Sequence, residues 1–207
     1  LIQEALSFHF KNKERPVTLN MEVIQKSAEW AKENLIKEDP YFVEPMAGND
    51  GWIMTDGNTA GALGSIFGGV QFTAWYPITP ASSLAESLHE FIPELRTDPM
   101  TGKQTSVIVQ AEDELAAIGM AIGAGWGGLR SMTSTSGPGL SLMTEFMGLA
   151  YYAEIPVVVW NVQRVGPSTG LPTRTAQGDI TFVKFMGHGD SDTVMLFPGS
   201  VNECFEF

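Results

Sequence analysis

The sequence predicts an α/β domain built as a three-layer parallel sheet. Three observations lead there. Apolar runs such as Val107-Ile108-Val109 and Val157-Val158-Val159-Trp160 are continuous rather than alternating, and a helix-length stretch separates each run from the next. Continuous strands are buried on both faces, and strand–helix alternation is the pattern of parallel crossovers. The chain has 207 residues, 43% of them hydrophobic and 17% charged, which suffices for one such core and is unlike a disordered or coiled-coil chain.

The elements follow in chain order. Residues 1–46 carry 6 of the 12 lysines and arginines and 8 of the 24 acids. Within them Val23, Ile24, Ala28, Ala31, Leu35 and Ile36 recur at helical spacing, so Met21–Ile36 is predicted to be an amphipathic helix, broken by Pro40 and Pro45. We read 1–46 as the C-terminal end of a preceding domain plus a linker, and 47–207 as the main domain. A docking helix belonging to the main domain fits the pattern equally well. Helical stretches are predicted over 59–69, 81–92, 112–126 and 139–153. Strands are predicted at Val107–Val109, at Val157–Trp160 (entered through Pro156) and at Val194–Phe197. Gln71–Tyr76 and Arg130–Ser134 are weaker strand candidates. Glu112-Asp113-Glu114 suits a helix N-terminus through the dipole, and Pro138 suits a first turn. The chain starts at Leu1 rather than Met, and Pro198-Gly199-Ser200 reads as a turn and N-cap opening another helix. A fragment of a longer polypeptide is therefore expected.

Composition excludes several function classes. The net charge of −12 disfavours nucleic acid and anionic membrane, and no basic stripe compensates. The longest apolar run, Leu115–Leu129, is too short to span a bilayer. One cysteine, Cys204, rules out a disulfide framework, a cysteine zinc site and any iron–sulfur cluster held by this chain alone. With no Asn-x-Ser/Thr sequon, it fits a cytoplasmic location. His9, His89 and His188 have no partner at ligand spacing, so no metal site is expected. Gly123-Ala124-Gly125-Trp126-Gly127-Gly128 satisfies G-x-G-x-x-G, but a helix precedes it and a strand follows. It reads as a helix end, not a dinucleotide loop. Gly102-Lys103 is followed by Gln104, so there is no P-loop.

Three places could carry chemistry. Thr133-Ser134-Thr135-Ser136-Gly137-Pro138-Gly139 follows a strand and opens a helix. Its N–H groups could hold an anion, or Ser136 could simply cap the helix. Glu114 precedes Leu115-Ala116-Ala117-Ile118. A carboxyl buried there would have a raised pKa and could share a proton with a ring nitrogen; a solvated helix-end acid is the alternative. Arg164 and Arg174 flank Val165–Thr173, just beyond the strand ending at Trp160. After residue 46 the chain has 6 basic and 16 acidic residues, so an anionic substrate needs a placed cation. Ligands of parallel sheets bind at strand carboxyl ends, where arginine can grip a carboxylate; loop salt bridges are the alternative.

Taken together and in order, Tyr76-Pro77-Ile78-Thr79-Pro80, Glu112-Asp113-Glu114-Leu115-Ala116-Ala117, Thr133–Gly139 and Asn161-Val162-Gln163-Arg164-Val165-Gly166-Pro167-Ser168-Thr169-Gly170-Leu171-Pro172-Thr173 resemble the alpha subunit of 2-oxoacid:ferredoxin oxidoreductases. The Gly-Pro-Ser-Thr-Gly-Leu-Pro-Thr form is most similar to the 2-oxoglutarate synthase branch. Residues 1–46 resemble the end of the gamma-type domain that precedes the alpha domain in fused subunits. The resemblance implies the pyrimidine-binding module of a thiamine-diphosphate fold. It implies that Glu114 meets the aminopyrimidine, that Thr79 lies beside cofactor and substrate, and that Pro80, Ser136 and Gly137 border the cofactor. Arg164 would contact the 2-oxoacid. By the acidic charge balance rather than the resemblance, Ser168, Thr169, Thr173 and Arg174, the dense group of donors beside it, would read its far end; a subunit contact is the alternative. A beta subunit would hold the pyrophosphate, the Mg2+ and an iron–sulfur cluster, with CoA as co-substrate and ferredoxin as acceptor, in a heterodimer or dimer of heterodimers. This chain lacks the beta-type Gly-Asp-Gly motif, since Gly189-Asp190 is followed by Ser191. Another thiamine-dependent lyase or transketolase-like subunit, and a catalytically silent binding module, remain the alternatives.

Overall fold

A computed structural model describes all residues except Pro45, Ala47, Thr169, Gly170 and Pro172. It divides into two units, Leu1–Trp52 and Ile53–Phe207. The first holds α1 (Ile2–His9) and α2 (Glu14–Asn34). Helix α2 begins earlier than the periodicity predicts. Val17 is its buried residue, whereas Val23, Ile24, Leu35 and Ile36, the stripe that predicted the helix, are exposed.

The second unit runs α3 (Gly57–Phe67), β1 (Phe72–Trp75), α4 (Ser82–Leu95), β2 (Val107–Gln110), α5 (Glu114–Trp126), β3 (Ser131–Thr135), α6 (Gly137–Tyr152), β4 (Val158–Asn161), α7 (Ile180–Phe185) and α8 (Val201–Glu206). All pairings are parallel, in the order β2-β1-β3-β4. Phe72 pairs with both Val107 and Ser131, and Met132 pairs with Val158. The expected α/β fold is observed.

Side chains alternate across the pleat, so the sheet has a core on each face. Ala74 and Val159 point into a cluster with Ala117, Ile118 and Ile122 of α5 and Met143 and Ala150 of α6. Ile108, Met132 and Trp160 point the other way, against Ala62 and Ile66 of α3 and Leu84, Leu88 and Ile92 of α4. This is the three-layer arrangement that continuous apolar strands require.

The helix starts are set locally. Asp56 accepts from the Thr59 N–H at 2.9 Å, Asp113 from the Ala116 N–H at 2.7 Å and Ser200 from the Glu203 N–H at 3.2 Å. Each leaves one fewer orphan donor at the end it caps. The G-x-G-x-x-G run is the end of α5. The Gly128 N–H reaches the Gly125 carbonyl at 2.9 Å, and Gly128 has φ +85°, which suits glycine.

One expectation is corrected. Val194–Phe197 is not a strand: Val194 is 87% exposed, and the segment pairs with no strand among the described residues. A β-prone apolar run becomes a strand only when a neighbour's edge takes its N–H and C=O groups, and here none does.

Gly123 and Gly125 predict opposite signs for one substitution. A Cβ at exposed Gly123 meets nothing within 4 Å, so Gly123→Ala should stabilise by about 1 kcal/mol through helix propensity. At buried Gly125 a Cβ would stand 2.6 Å from the Pro156 carbonyl oxygen, so Gly125→Ala should cost about 1–3 kcal/mol despite the same propensity gain. Urea denaturation of the two variants checks both signs.

Candidate functional site

All four strands point the same way, so their carboxyl ends share one edge. Between β1 and β3 the chain direction across the sheet reverses: β1 leads through α4 on one face, β3 through α6 on the other. Such a switch point opens a crevice beyond the strand ends. The loop after β1 holds Thr79 and Pro80, β2 leads to Glu114, β3 to Ser136 and Gly137, and β4 to Arg164.

Two of these loops are tied together. The Arg164 guanidinium donates through Nη1 to the Thr79 carbonyl at 3.0 Å. The loop after β1 is braced from α3, where the Asn58 amide donates to the Pro80 carbonyl at 2.9 Å and to Ser83 Oγ at 2.7 Å. The loop after β4 closes on itself through the Val165 N–H and the Arg174 carbonyl at 2.8 Å. Arg164 is only 7% exposed, and its Nε has no partner. Among the described residues neither Arg164 nor Arg174 has an acidic partner, so the loop-salt-bridge reading does not hold. A buried guanidinium without a counter-ion is costly, and an arriving carboxylate would relieve that cost.

Arg164 lines a cavity of about 310 Å³ with Gly137, Pro138, Gly166, Asp179 and Phe182. Asp179 comes from the residue before α7, and its carboxylate lies against the start of α6. A Cβ on Gly137 would sit 2.5 Å from Asp179 Oδ2, so only glycine fits. That oxygen is buried without a partner. The end of α6 is therefore not an open anion site as the sequence suggested: the chain's own carboxylate faces the positive end of the helix. The capping alternative fails too. Ser136 makes no side-chain cap bond, and its hydroxyl is buried and unpartnered.

Glu114 is half-buried rather than enclosed. It opens α5 at the rim of the sheet edge, and full burial begins at Ala117. Asp113 is the capping acid of the cluster and Glu112 is exposed, which leaves Glu114 without a hydrogen bond or ion pair among the described residues. Its side chain lies against Gly139 in the first turn of α6.

The structure thus gathers Thr79, Pro80, Glu114, Ser136, Gly137 and Arg164 on one edge. It does not bring in the rest. Ser168 is exposed and does not line the cavity, and Thr169 lies outside the described residues. Arg174 is exposed, and its guanidinium reaches the Thr173 carbonyl at 3.3 Å. Sequence reading missed Asn58 and Asp179. A helix-start signal, Asp179 before the apolar residues Ile180, Phe182 and Val183, could have found the second; no local pattern marks the first.

Comparison with known proteins adds independent findings. The family described as pyruvate flavodoxin/ferredoxin oxidoreductase, thiamine diphosphate-binding, matches residues 63–207. The alpha subunit of 2-oxoacid:ferredoxin oxidoreductase 1 from Sulfurisphaera tokodaii is 50% identical over 174 residues, 83% of this chain and 28% of that one. The 2-oxoglutarate synthase subunit KorA of Methanothermobacter thermautotrophicus is 46% identical over 151 residues, 73% of this chain and 38% of that one. The solved 2-oxoglutarate:ferredoxin oxidoreductase from Magnetococcus marinus, with 2-oxoglutarate, coenzyme A and succinyl-CoA bound, superposes with a TM-score of 0.82 at 41% identity. That match covers 98% of this chain and 34% of the other. The chain therefore spans roughly a quarter to two-fifths of the length of these relatives.

The capping geometry predicts unequal costs for two similar truncations. Asp113→Ala should lose about 1 kcal/mol, because the Ala116 N–H loses its acceptor. Ser136→Ala should be neutral or slightly stabilising, because it removes a buried hydroxyl that bonds to nothing. Chemical denaturation of both variants tests the difference.

Proposed function

The chain belongs to the pyruvate flavodoxin/ferredoxin oxidoreductase thiamine-diphosphate-binding family, and on that footing we propose that it is a segment of an alpha subunit that oxidatively decarboxylates a 2-oxoacid. The substrate is 2-oxoglutarate, converted to its acyl-CoA with ferredoxin as acceptor. The identity to 2-oxoglutarate synthase subunits, and the similarity to a structure holding 2-oxoglutarate and coenzyme A, support the substrate class. The observation that carries the reading is Arg164: buried, tied to Thr79 and without an ion pair among the described residues.

The residues present suit thiamine diphosphate. Glu114 has a free carboxyl on that edge, and unpartnered hydroxyls of Ser134 and Ser136 lie at the end of β3. When bound, thiamine diphosphate supplies the electron sink for loss of carbon dioxide from a 2-oxoacid. Glu114 holds a proton at the pyrimidine N1′ atom, with Thr79, Pro80, Ser136 and Gly137 bordering the cofactor. Arg164 takes the substrate carboxylate, its guanidinium pre-oriented by the Thr79 carbonyl, and Thr79 orients the ketone beside it. Ser168 and Arg174, exposed on the adjoining loop and outside the cavity, are not assigned to the distal carboxylate that 2-oxoglutarate has and pyruvate lacks.

The pyrophosphate, Mg2+ and iron–sulfur cluster belong to a beta subunit, in a heterodimer or dimer of heterodimers located in the cytoplasm. Residues 1–46 are the end of a gamma-type domain. A relative from Aeropyrum pernix, 38% identical over 99% of this chain but only 33% of its own length, supports that placement within a longer alpha subunit.

Two measurements on the enzyme reconstituted with its beta subunit test the roles. Glu114→Gln should lower kcat by about 10²–10⁴-fold, because an amide cannot exchange the proton, while Glu112→Gln should change it little. Equal losses would show that the effect lies in the helix end rather than the proton. Arg164→Lys should raise KM for the 2-oxoacid and lower kcat/KM with cofactor affinity nearly unchanged, since lysine keeps the charge and loses the planar fork. Weakened cofactor binding with unmoved substrate dependence would take Arg164 out of the substrate site.

A further inference from the structure

Gly139, in the first turn of α6, is there for space. A Cβ at this position would stand 2.1 Å from Thr135 Oγ1, 3.0 Å from Glu114 Cγ and 3.4 Å from Glu114 Oε1. Three elements therefore close on one methyl-sized gap: the end of β3, the first turn of α5 and the first turn of α6. The walls are held from behind. Thr135 is fully buried on an interior strand, and its carbonyl accepts from the Val162 N–H at 2.9 Å. The backbone of Glu114 is fixed by the Asp113 cap, at 2.7 Å to the Ala116 N–H. Two polar groups facing the gap are under-used. The Glu114 carboxylate has no hydrogen bond among the described residues, and the Thr135 hydroxyl has only a 3.5 Å contact with the Ser136 carbonyl.

We propose that Gly139 and Thr135 are positioning residues for Glu114: the missing Cβ forms the seat in which its side chain lies, and the Thr135 hydroxyl is the polar wall of that seat. The proposal rests on the reading of Glu114 as the proton-holding group. A seat built from a sheet strand and two helix starts holds a side chain better than a loop does. Catalysis is steep in that placement, since a misplacement of about 1 Å can cost about 10²-fold. Alanine at 139 has no room unless Thr135 Oγ1 and Glu114 Cγ both move.

The test uses the reconstituted enzyme and a double-mutant cycle of Gly139→Ala with Glu114→Gln. The readouts are kcat, KM for the 2-oxoacid, and thiamine diphosphate affinity by calorimetry. Gly139→Ala should lower kcat by about 10- to 100-fold, move KM by less than about twofold and weaken cofactor binding. In the Glu114→Gln background it should add nothing to either loss, because both act through one side chain. Adding Thr135→Ala to Gly139→Ala removes the nearest clash and should recover part of kcat. Wild-type behaviour of Gly139→Ala, or losses that multiply with Glu114→Gln, would overturn the proposal. If Glu114→Gln leaves turnover intact, the functional reading of Glu114 falls on its own, and the cofactor-affinity cycle still decides the seat. Should Gly139→Ala fail to fold, Thr135→Val against Thr135→Ser decides. Valine should lower kcat and shift the acid limb of its pH profile, and serine should restore both; equal behaviour of the two would reject a role for the hydroxyl.

Discussion

A parallel sheet whose chain direction reverses between β1 and β3 is the constraint on which the rest of this molecule depends. Parallel strands deliver every following loop to one edge, and every following helix begins there. The positive ends of α4, α5 and α6 therefore face the same edge, which is where the acids Asp113, Glu114 and Asp179 collect. In a chain of net charge −12, these are carboxylates that the fold can hold close together. The same edge carries Arg164, the buried charged side chain among the described residues.

Holding that edge together costs stability, and the fold offsets the cost locally. Arg164 gives up water for one carbonyl of the loop after β1, an incomplete exchange for a guanidinium with five donors. Hydroxyls of Thr133, Ser134 and Ser136 on or next to β3 are buried without partners. A strand chosen for stability alone would carry valine or isoleucine there. The apolar work is done instead on the faces, by Leu84, Leu88 and Ile92 on one side and Ile118 and Met143 on the other. Glycine does the rest where helices and loops meet the edge. Gly137 makes room for a carboxylate of Asp179, and Gly139 makes room for Glu114 and Thr135.

Several features were not legible in the residues. Val194–Phe197 has the composition of a strand and is not one, because pairing depends on a free neighbouring edge and not on propensity. Met21–Ile36 has a helical stripe, yet α2 runs Glu14–Asn34 and its buried residue is Val17, outside the stripe. Ser136 stands in the capping position, but the Asp179 carboxylate, over 40 residues away in sequence, lies against the helix start instead. Glu114 read from the sequence as either a buried carboxyl or a solvated helix-end acid, and it is neither fully. It is half-buried because the first residue of a helix stays at the sheet rim.

The sequence by itself determined the fold class, the four sheet strands to within two residues at either end, and the start of α8 through Ser200. These follow from periodicity, capping chemistry and composition, which act over a few neighbouring residues. Only the tertiary structure decided that Arg164 is buried and bonded to Thr79, that Asn58 braces Pro80, that Asp179 meets Gly137, and that Thr135, Gly139 and Glu114 share one gap. Each of these joins segments far apart in the chain, three of them following different strands and one reaching from α3 to the loop after β1. Their meeting is set by the order β2-β1-β3-β4, which no local stretch of sequence encodes.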